Sequence, residues 1–287
     1  MLCAGFTIIN NAVRYGYPVK ESILSALPLC DVFYVLIGDG DDGTLELIQS
    51  IGSDKVRIHR SVWDKTATQG GEVLAIETNK ALALIPSTYT WCLYLQADEA
   101  IHEKDFPIIQ KAMQDYKHRD DVEGLLFSYY HFWGSFSYVG TTSKWYRREI
   151  RIIKNRSDIF SYRDAQGFRK KPNEKLRVVL IDAHVYHYGW VRPPAKMQEK
   201  FAGVQQYWSN ENKYIPNQSE FDYSQIDALA PFNGTHPAAM KAIIEGQSWE
   251  FVYDEKQTKM KFKEKLKRIL YRITGYRFFE YKNYKRI

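Results

Sequence analysis

Only three cysteines, Cys3, Cys30 and Cys92, occur in 287 residues, and none stands at the short spacing a structural zinc site requires. They lie in apolar stretches, which points to reduced core thiols in a cytosolic protein. No run of 18 apolar residues is present, which excludes a conventional transmembrane helix. The opening MLCAGFTIINN lacks a basic n-region and enters a strand-like pattern at once, unlike a signal peptide. Positive charge is scarce over most of the chain. The net charge is +6, yet residues 256–287 alone carry 12 Lys and Arg against 2 Glu, so the rest is net acidic. A body of that sign is not a nucleic-acid binder. A glycine-rich phosphate loop is also missing near the N-terminus, where NNAVRYGYP offers Arg14 and Gly16 without further glycines.

Aromatic residues, in contrast, are plentiful at 15%, with Tyr the commonest. Tyr and Trp join an apolar face to a polar tip, which suits carbohydrate-like ligands as well as cores. The first hundred residues alternate strand and helix patterns. GFTII, DVFYVLIG, KVRIHRSV and YTWCLYLQ read as strands, and VKESILSAL, TLELIQSIG and GEVLAIETNKALAL as helices. The last of these helices places Leu74, Thr78, Ala81 and Leu82 on one stripe. This order predicts an α/β fold with a mostly parallel central sheet flanked by helices. Right-handed crossovers bring the carboxyl ends of the strands to one edge, where such sheets bind ligands. Further strands are expected in GLLFSYYHFWGSFSYVG, EIRIIKN and LRVVLIDAHVYHYG, a polar loop over Ser157–Glu174, and a helix in PPAKMQEKFAGVQQYW.

Two acid-bearing turns belong on that edge. WCLYLQADEA runs a hydrophobic strand into Asp98 and Glu99, and DGDDGT places Asp39, Asp41 and Asp42 after the second strand. Carboxylates at a strand's end can hold a divalent cation against a diphosphate, and an Asp in a Gly-containing turn can contact a nucleoside. A polar strand terminus and a surface turn account for the same residues without a ligand.

The order of these pieces resembles the family 2 glycosyltransferases of GT-A fold, of the kind that builds bacterial envelope saccharides. The matching pieces are Asn10-Asn11, Asp39–Thr44, Thr78-Asn79-Lys80-Ala81-Leu82, Gln96–Glu99, RIIKN (Arg151–Asn155) and HYGW (His187–Trp190), spanning about residues 5–200. The resemblance implies transfer of a sugar, with inversion, from a nucleoside-diphosphate sugar to a saccharide or lipid-linked acceptor. It assigns Asn11, Asp39, Asn79, Gln96 and Asp98 to the donor, Asp98 and His187 to a divalent metal, and an acid before the HYG strand to the base. Of Asp158, Asp164, Glu174 and Asp182, Asp164 is selected, because it lies mid-loop beside aromatic and glycine residues. Gln96 stands where the family has an Asp, and Thr78 where it has an Arg. Imidazole plus carboxylate suits Mn²⁺ better than Mg²⁺. Glu99 is expected to order the turn. His184 and His187 point to opposite faces of one strand and do not share an ion. Trp133 and Trp145 are the expected sugar-stacking platforms.

The expected organisation is a nucleotide-sugar half over 1–120, an acceptor half over 121–255, and a basic amphipathic tail over 256–287. In the tail Phe262, Leu266, Ile269, Leu270 and Ile273 recur at helical spacing among Lys and Arg, a pattern that suits an anionic membrane surface. This places the protein in the cytoplasm, peripheral to the inner face of the membrane. A nucleotidyltransferase and a non-catalytic sugar-binding module on the same scaffold are the alternative readings.

Overall fold

The computed structural model describes residues 2–64, 66–67, 69–205, 207–208, 219–224, 226, 228–254, 266–267, 270, 273 and 281–287. In chain order the elements are β1 (Cys3–Ile9), α1 (Ala12–Tyr15), α2 (Val19–Ala26), β2 (Val32–Ile37), α3 (Thr44–Gln49), β3 (Val56–Arg60), α4 (Glu72–Ala83), β4 (Trp91–Tyr94), β5 (Glu99–Ile101), α5 (Phe106–Asp115), β6 (Gly124–Trp133), β7 (Tyr138–Gly140), β8 (Arg148–Lys154), β9 (Ile159–Tyr162), β10 (Gly167–Lys170), β11 (Glu174–Lys175), β12 (Arg177–Trp190), α6 (Pro194–Gln205), β13 (Leu229–Pro231), α7 (Lys241–Glu245) and β14 (Lys285–Arg286).

The first four strands form a parallel sheet in the order β3-β2-β1-β4. The sheet continues through antiparallel β8 to β6, which runs parallel to β12. β1 lies at the centre and is buried along its whole length. Its alternate residues feed two cores, Cys3 and Ile9 on one face, Ala4, Phe6 and Ile8 on the other. That is the double burial expected of a parallel strand with helices on both sides. The α/β class and the mostly parallel sheet are therefore as the sequence implies.

Two local expectations need correction. α4 is rotated from the predicted stripe. Val73, Ala75, Glu77, Thr78 and Ala81 are its buried residues, while Leu74 and Leu82 are half-covered. Glu77 tolerates full burial because the Lys80 ammonium lies 2.6 Å away. The Ser157–Glu174 stretch is not a loop but a β9–β10 hairpin with β11 beside it. Its inward positions include Ser161 and Arg169, whose polar side chains disguise the alternation. Arg169 is matched by Tyr162 and, from far along the chain, by Tyr281. β13, in the LAPFNGTHPAAM stretch, pairs with β7.

Most of the predicted basic helix, Phe262 and Ile269 included, lies outside the described residues. Leu266, Leu270 and Ile273 are described and are all exposed. β14 pairs in parallel with the start of β12, and Asn283 and Tyr284 are buried against the body.

Candidate functional site

The carboxyl edge of the sheet opens into a pocket of about 540 Å³. β1 and β4 contribute Asn10, Gln96 and Asp98, the β9–β10 turn Asp164 and Gln166, β12 His187 and Trp190, and α6 Lys200 and Phe201.

Strand pairing assembles its centre. After β4 the chain turns through Gln96-Ala97-Asp98, then re-enters the sheet as β5, antiparallel to β12 with Glu99 opposite His187. That register sets Asp98 against His187, with His187 Nε2 3.7 Å from Asp98 Oδ1. Lys200 Nζ approaches the other oxygen, Oδ2, at 3.2 Å, and the Gly189 carbonyl at 2.8 Å. Burial alone would raise the Asp98 carboxyl. The charges of Lys200 and Arg192 outweigh it and hold the carboxyl below its ordinary value. Burial and Arg192 both depress the Lys200 ammonium, and burial depresses His187.

The hydrogen-bond chain behind His187 fixes its tautomer. His131 Nε2 lies 2.7 Å from the Tyr146 carbonyl oxygen, which can only accept. In a neutral imidazole this leaves His131 Nδ1 as an acceptor. His187 Nδ1, 3.1 Å away, must then carry its proton, which leaves Nε2 as a lone pair aimed toward Asp98. A lone pair and a carboxylate facing one point want a cation between them. Gly189 keeps that space open, since a Cβ there would stand 2.5 Å from His187 Nε2 and 3.0 Å from Asp98 Oδ2. These donors fit a divalent metal that completes its shell with ligand and water oxygens. Among the described residues no cluster of three or more His, Cys, Asp or Glu could hold an ion by itself.

Glu99 is not in the pocket. Its carboxylate takes two hydrogen bonds from Arg151, one from the Gln96 backbone and one from the Tyr129 hydroxyl. It thereby fastens the turn that presents Asp98. His184 faces away, stacked on Tyr130 with ring centroids 4.7 Å apart.

Of the residues singled out in the sequence, Gln96, Asp98, Asp164 and His187 meet in this pocket. Gln96 Nε2 reaches the Ala165 carbonyl at 3.4 Å, bridging the β4 turn to the hairpin that carries Asp164. Asp164 lies between the left-handed residues Arg163 and Ala165 and packs so closely on Gly71 that a Cβ there would meet its own at 2.8 Å. Asn79 is not brought to the pocket. Its amide spans the backbone of Ser161, donating to the carbonyl and accepting from the N–H, both at 2.8 Å. Asn11 caps α1 in the left-handed conformation beside Gly40, and its neighbour Asn10 lines the pocket in its place. Asp39 is exposed and lies outside the lining, near enough to Tyr207 to bear on its phenol. Trp133 is buried with its indole N–H on the Tyr223 carbonyl. Trp145 is not among the lining residues, whereas Trp190 and Trp208 are.

Lys200, Arg192, Tyr17 and His131 carry no sequence signal of their own. The Lys-Met-Gln-Glu-Lys run of α6 reads as a solvated helix face, and His131 sits within an aromatic strand.

No protein-family model matches the chain, and no curated protein sequence matches it. Among solved structures it is similar to S. aureus TarS, at 12% identity over 71% of this chain and 39% of that one, with a TM-score of 0.41. It is also similar to glucosyl-3-phosphoglycerate synthase of Mycobacterium tuberculosis in complex with Mn²⁺, UDP and phosphoglyceric acid, at 13% identity, 45% and 43% coverage and a TM-score of 0.32. A third is 4-diphosphocytidyl-2C-methyl-D-erythritol synthase of Anaerococcus prevotii, at 9% identity, 72% and 95% coverage and a TM-score of 0.39. The chain thus spans less than half the length of the first two structures.

Proposed function

We propose that the chain is an inverting glycosyltransferase of GT-A type, moving a sugar from a nucleoside-diphosphate donor to a saccharide or lipid-linked acceptor of the bacterial envelope. The observation that carries this reading is the convergence of Asp98 Oδ1 and the His187 Nε2 lone pair at the carboxyl edge of the sheet, in one pocket with Asp164. Asn10, Gln96 and the aromatic residues Trp63 and Tyr207 line the same pocket and suit a nucleoside. Asp39 and Asn11, both outside the lining, are assigned to that end by the motif resemblance alone.

Asp164 is the base in this reading. Its carboxylate takes the proton of the acceptor hydroxyl as that oxygen attacks the anomeric carbon. The bond from the anomeric carbon to the diphosphate breaks, and its electron pair leaves with the diphosphate oxygen. Mn²⁺, or less suitably Mg²⁺, held by Asp98 and His187 would neutralise charge developing on that leaving group. Gln96 orients the hairpin carrying the base and offers an amide to the donor. The basic segment within 256–287 is assigned to an anionic membrane surface, which would bring a lipid-linked acceptor to the pocket.

A thermal-shift screen of UDP-, GDP-, ADP- and CMP-sugars with and without Mn²⁺ tests the donor class. A donor at ~100 times its Kd stabilises by roughly 2.7 kcal/mol. Stabilisation by one nucleotide, larger with Mn²⁺, is expected. Silence from every nucleotide sugar would overturn the proposal.

A further inference from the structure

Two cationic side chains stand near one carboxylate, Lys200 in the lining of the pocket and Arg192 buried outside it. Lys200 stands against Asp98 Oδ2, and Arg192, 2% exposed, donates from Nη1 to the Gly189 carbonyl at 3.0 Å. Both groups lie over the Tyr17 ring, 4.7 and 4.8 Å from its centroid. Arg192 Nε and Nη2 are buried without a hydrogen-bond partner among the described residues. A buried cation is tolerated when an anion pairs with it, and Asp98 can match only one of these two. The fold therefore keeps an excess positive charge beside the point where Asp98 and His187 converge. A structural latch on α6 would need only the Lys200–Gly189 bond. It would not explain the second cation or its unused donors.

We infer that Lys200, backed by Arg192, is a resident cationic contact for the diphosphate of the donor, able to hold that group without a divalent cation. The inference rests on the donor reading above. The two oxygens of Asp98 divide between partners, Oδ1 toward His187 and Oδ2 toward Lys200. Paired in this way, Lys200 neutralises Asp98 and so competes with a metal for it. An arriving diphosphate gives the ammonium a second anion and frees the carboxylate for a metal. Gln96 serves the same end, because a carboxylate at that position would cancel the excess charge.

The test uses the full chain as wild type, Lys200→Met and Lys200→Arg. Inorganic pyrophosphate and UDP are titrated calorimetrically in EDTA at low and high salt, and Mn²⁺ alone is titrated by electron paramagnetic resonance. Wild type should bind pyrophosphate in EDTA, more weakly as salt rises. Lys200→Met should lose at least tenfold of that affinity, and Lys200→Arg should retain most of it. In the absence of diphosphate Lys200→Met should bind Mn²⁺ several-fold more tightly, since its competitor is gone. A latch would move both affinities downward together. The salt dependence of wild type keeps the test open if Lys200→Met fails to fold. If wild type binds diphosphate only with Mn²⁺, or if Lys200→Met matches wild type in EDTA, the assignment is overturned while the donor reading stands. If wild type binds neither probe with or without Mn²⁺, both fall.

Discussion

Glu99 and Arg151 form a buried ion pair with two parallel hydrogen bonds, Nε to Oε2 and Nη2 to Oε1, each 2.8 Å. Neither side chain has solvent exposure, and the pair fixes the turn presenting Asp98. Removing one partner strands the other charge in the core. Glu99→Gln and Arg151→Met should each destabilise by about 3–5 kcal/mol, read from urea unfolding. The double variant should be less than additive.

Gly189→Ala asks whether the gap between Asp98 and His187 is where an ion sits. The added Cβ falls within 3.0 Å of both side chains. Mn²⁺ affinity should fall at least tenfold, while unfolding free energy changes by less than about 2 kcal/mol. Unaltered Mn²⁺ binding would remove the pair as ligands.

Asp164→Asn keeps the shape of the hairpin turn and removes the carboxylate proposed as the base. Turnover should drop about 10²–10⁴-fold with donor affinity unchanged, measured as kcat against the Kd of the donor. Retained turnover would shift the role to another acid.

Glu149 lies behind that hairpin. Burial pushes its carboxyl up to about 7, opposed by the Arg151 guanidinium, the Ile150 N–H and the Gln166 amide and reinforced by Glu99. Since the folded value lies above the unfolded one, the group favours folding at low pH. That contribution is complete below about pH 4.5 and is lost as pH rises to about 7. Its size is of order 3 kcal/mol. Glu149→Gln should flatten this part of the stability profile, and an unchanged slope would refute the assignment.

Asn79→Ala separates a donor contact from a structural one. Loss of both bonds to Ser161 should cost about 1–3 kcal/mol of stability and leave nucleotide affinity within twofold of wild type.

The parallel sheet was legible because β1, β2 and β4 are short apolar runs bounded by turns, a pattern set by burial on both faces. Asp98 and Gln96 were legible because a strand end in such a sheet has a known place in space. Asn79 misled for a related reason. Its segment was matched by order, but the partner of its amide is β9, one strand of a hairpin that inward Ser161 of β9 and Arg169 of β10 conceal. The place of Lys200 was beyond reach, since it depends on the approach of α6 to the β4 turn, a contact across 102 positions of sequence.

The pairing of β14 with β12 changes what a deletion can tell. Trp249 and Tyr253 stack on the body before the basic segment, and Tyr281 rejoins it at the β9–β10 hairpin. The segment is thus moored at two points, so cutting away 256–287 would remove a sheet strand along with the charge. Replacing lysines and arginines between 259 and 272 by glutamine, with 281–287 intact, isolates the electrostatics of liposome binding.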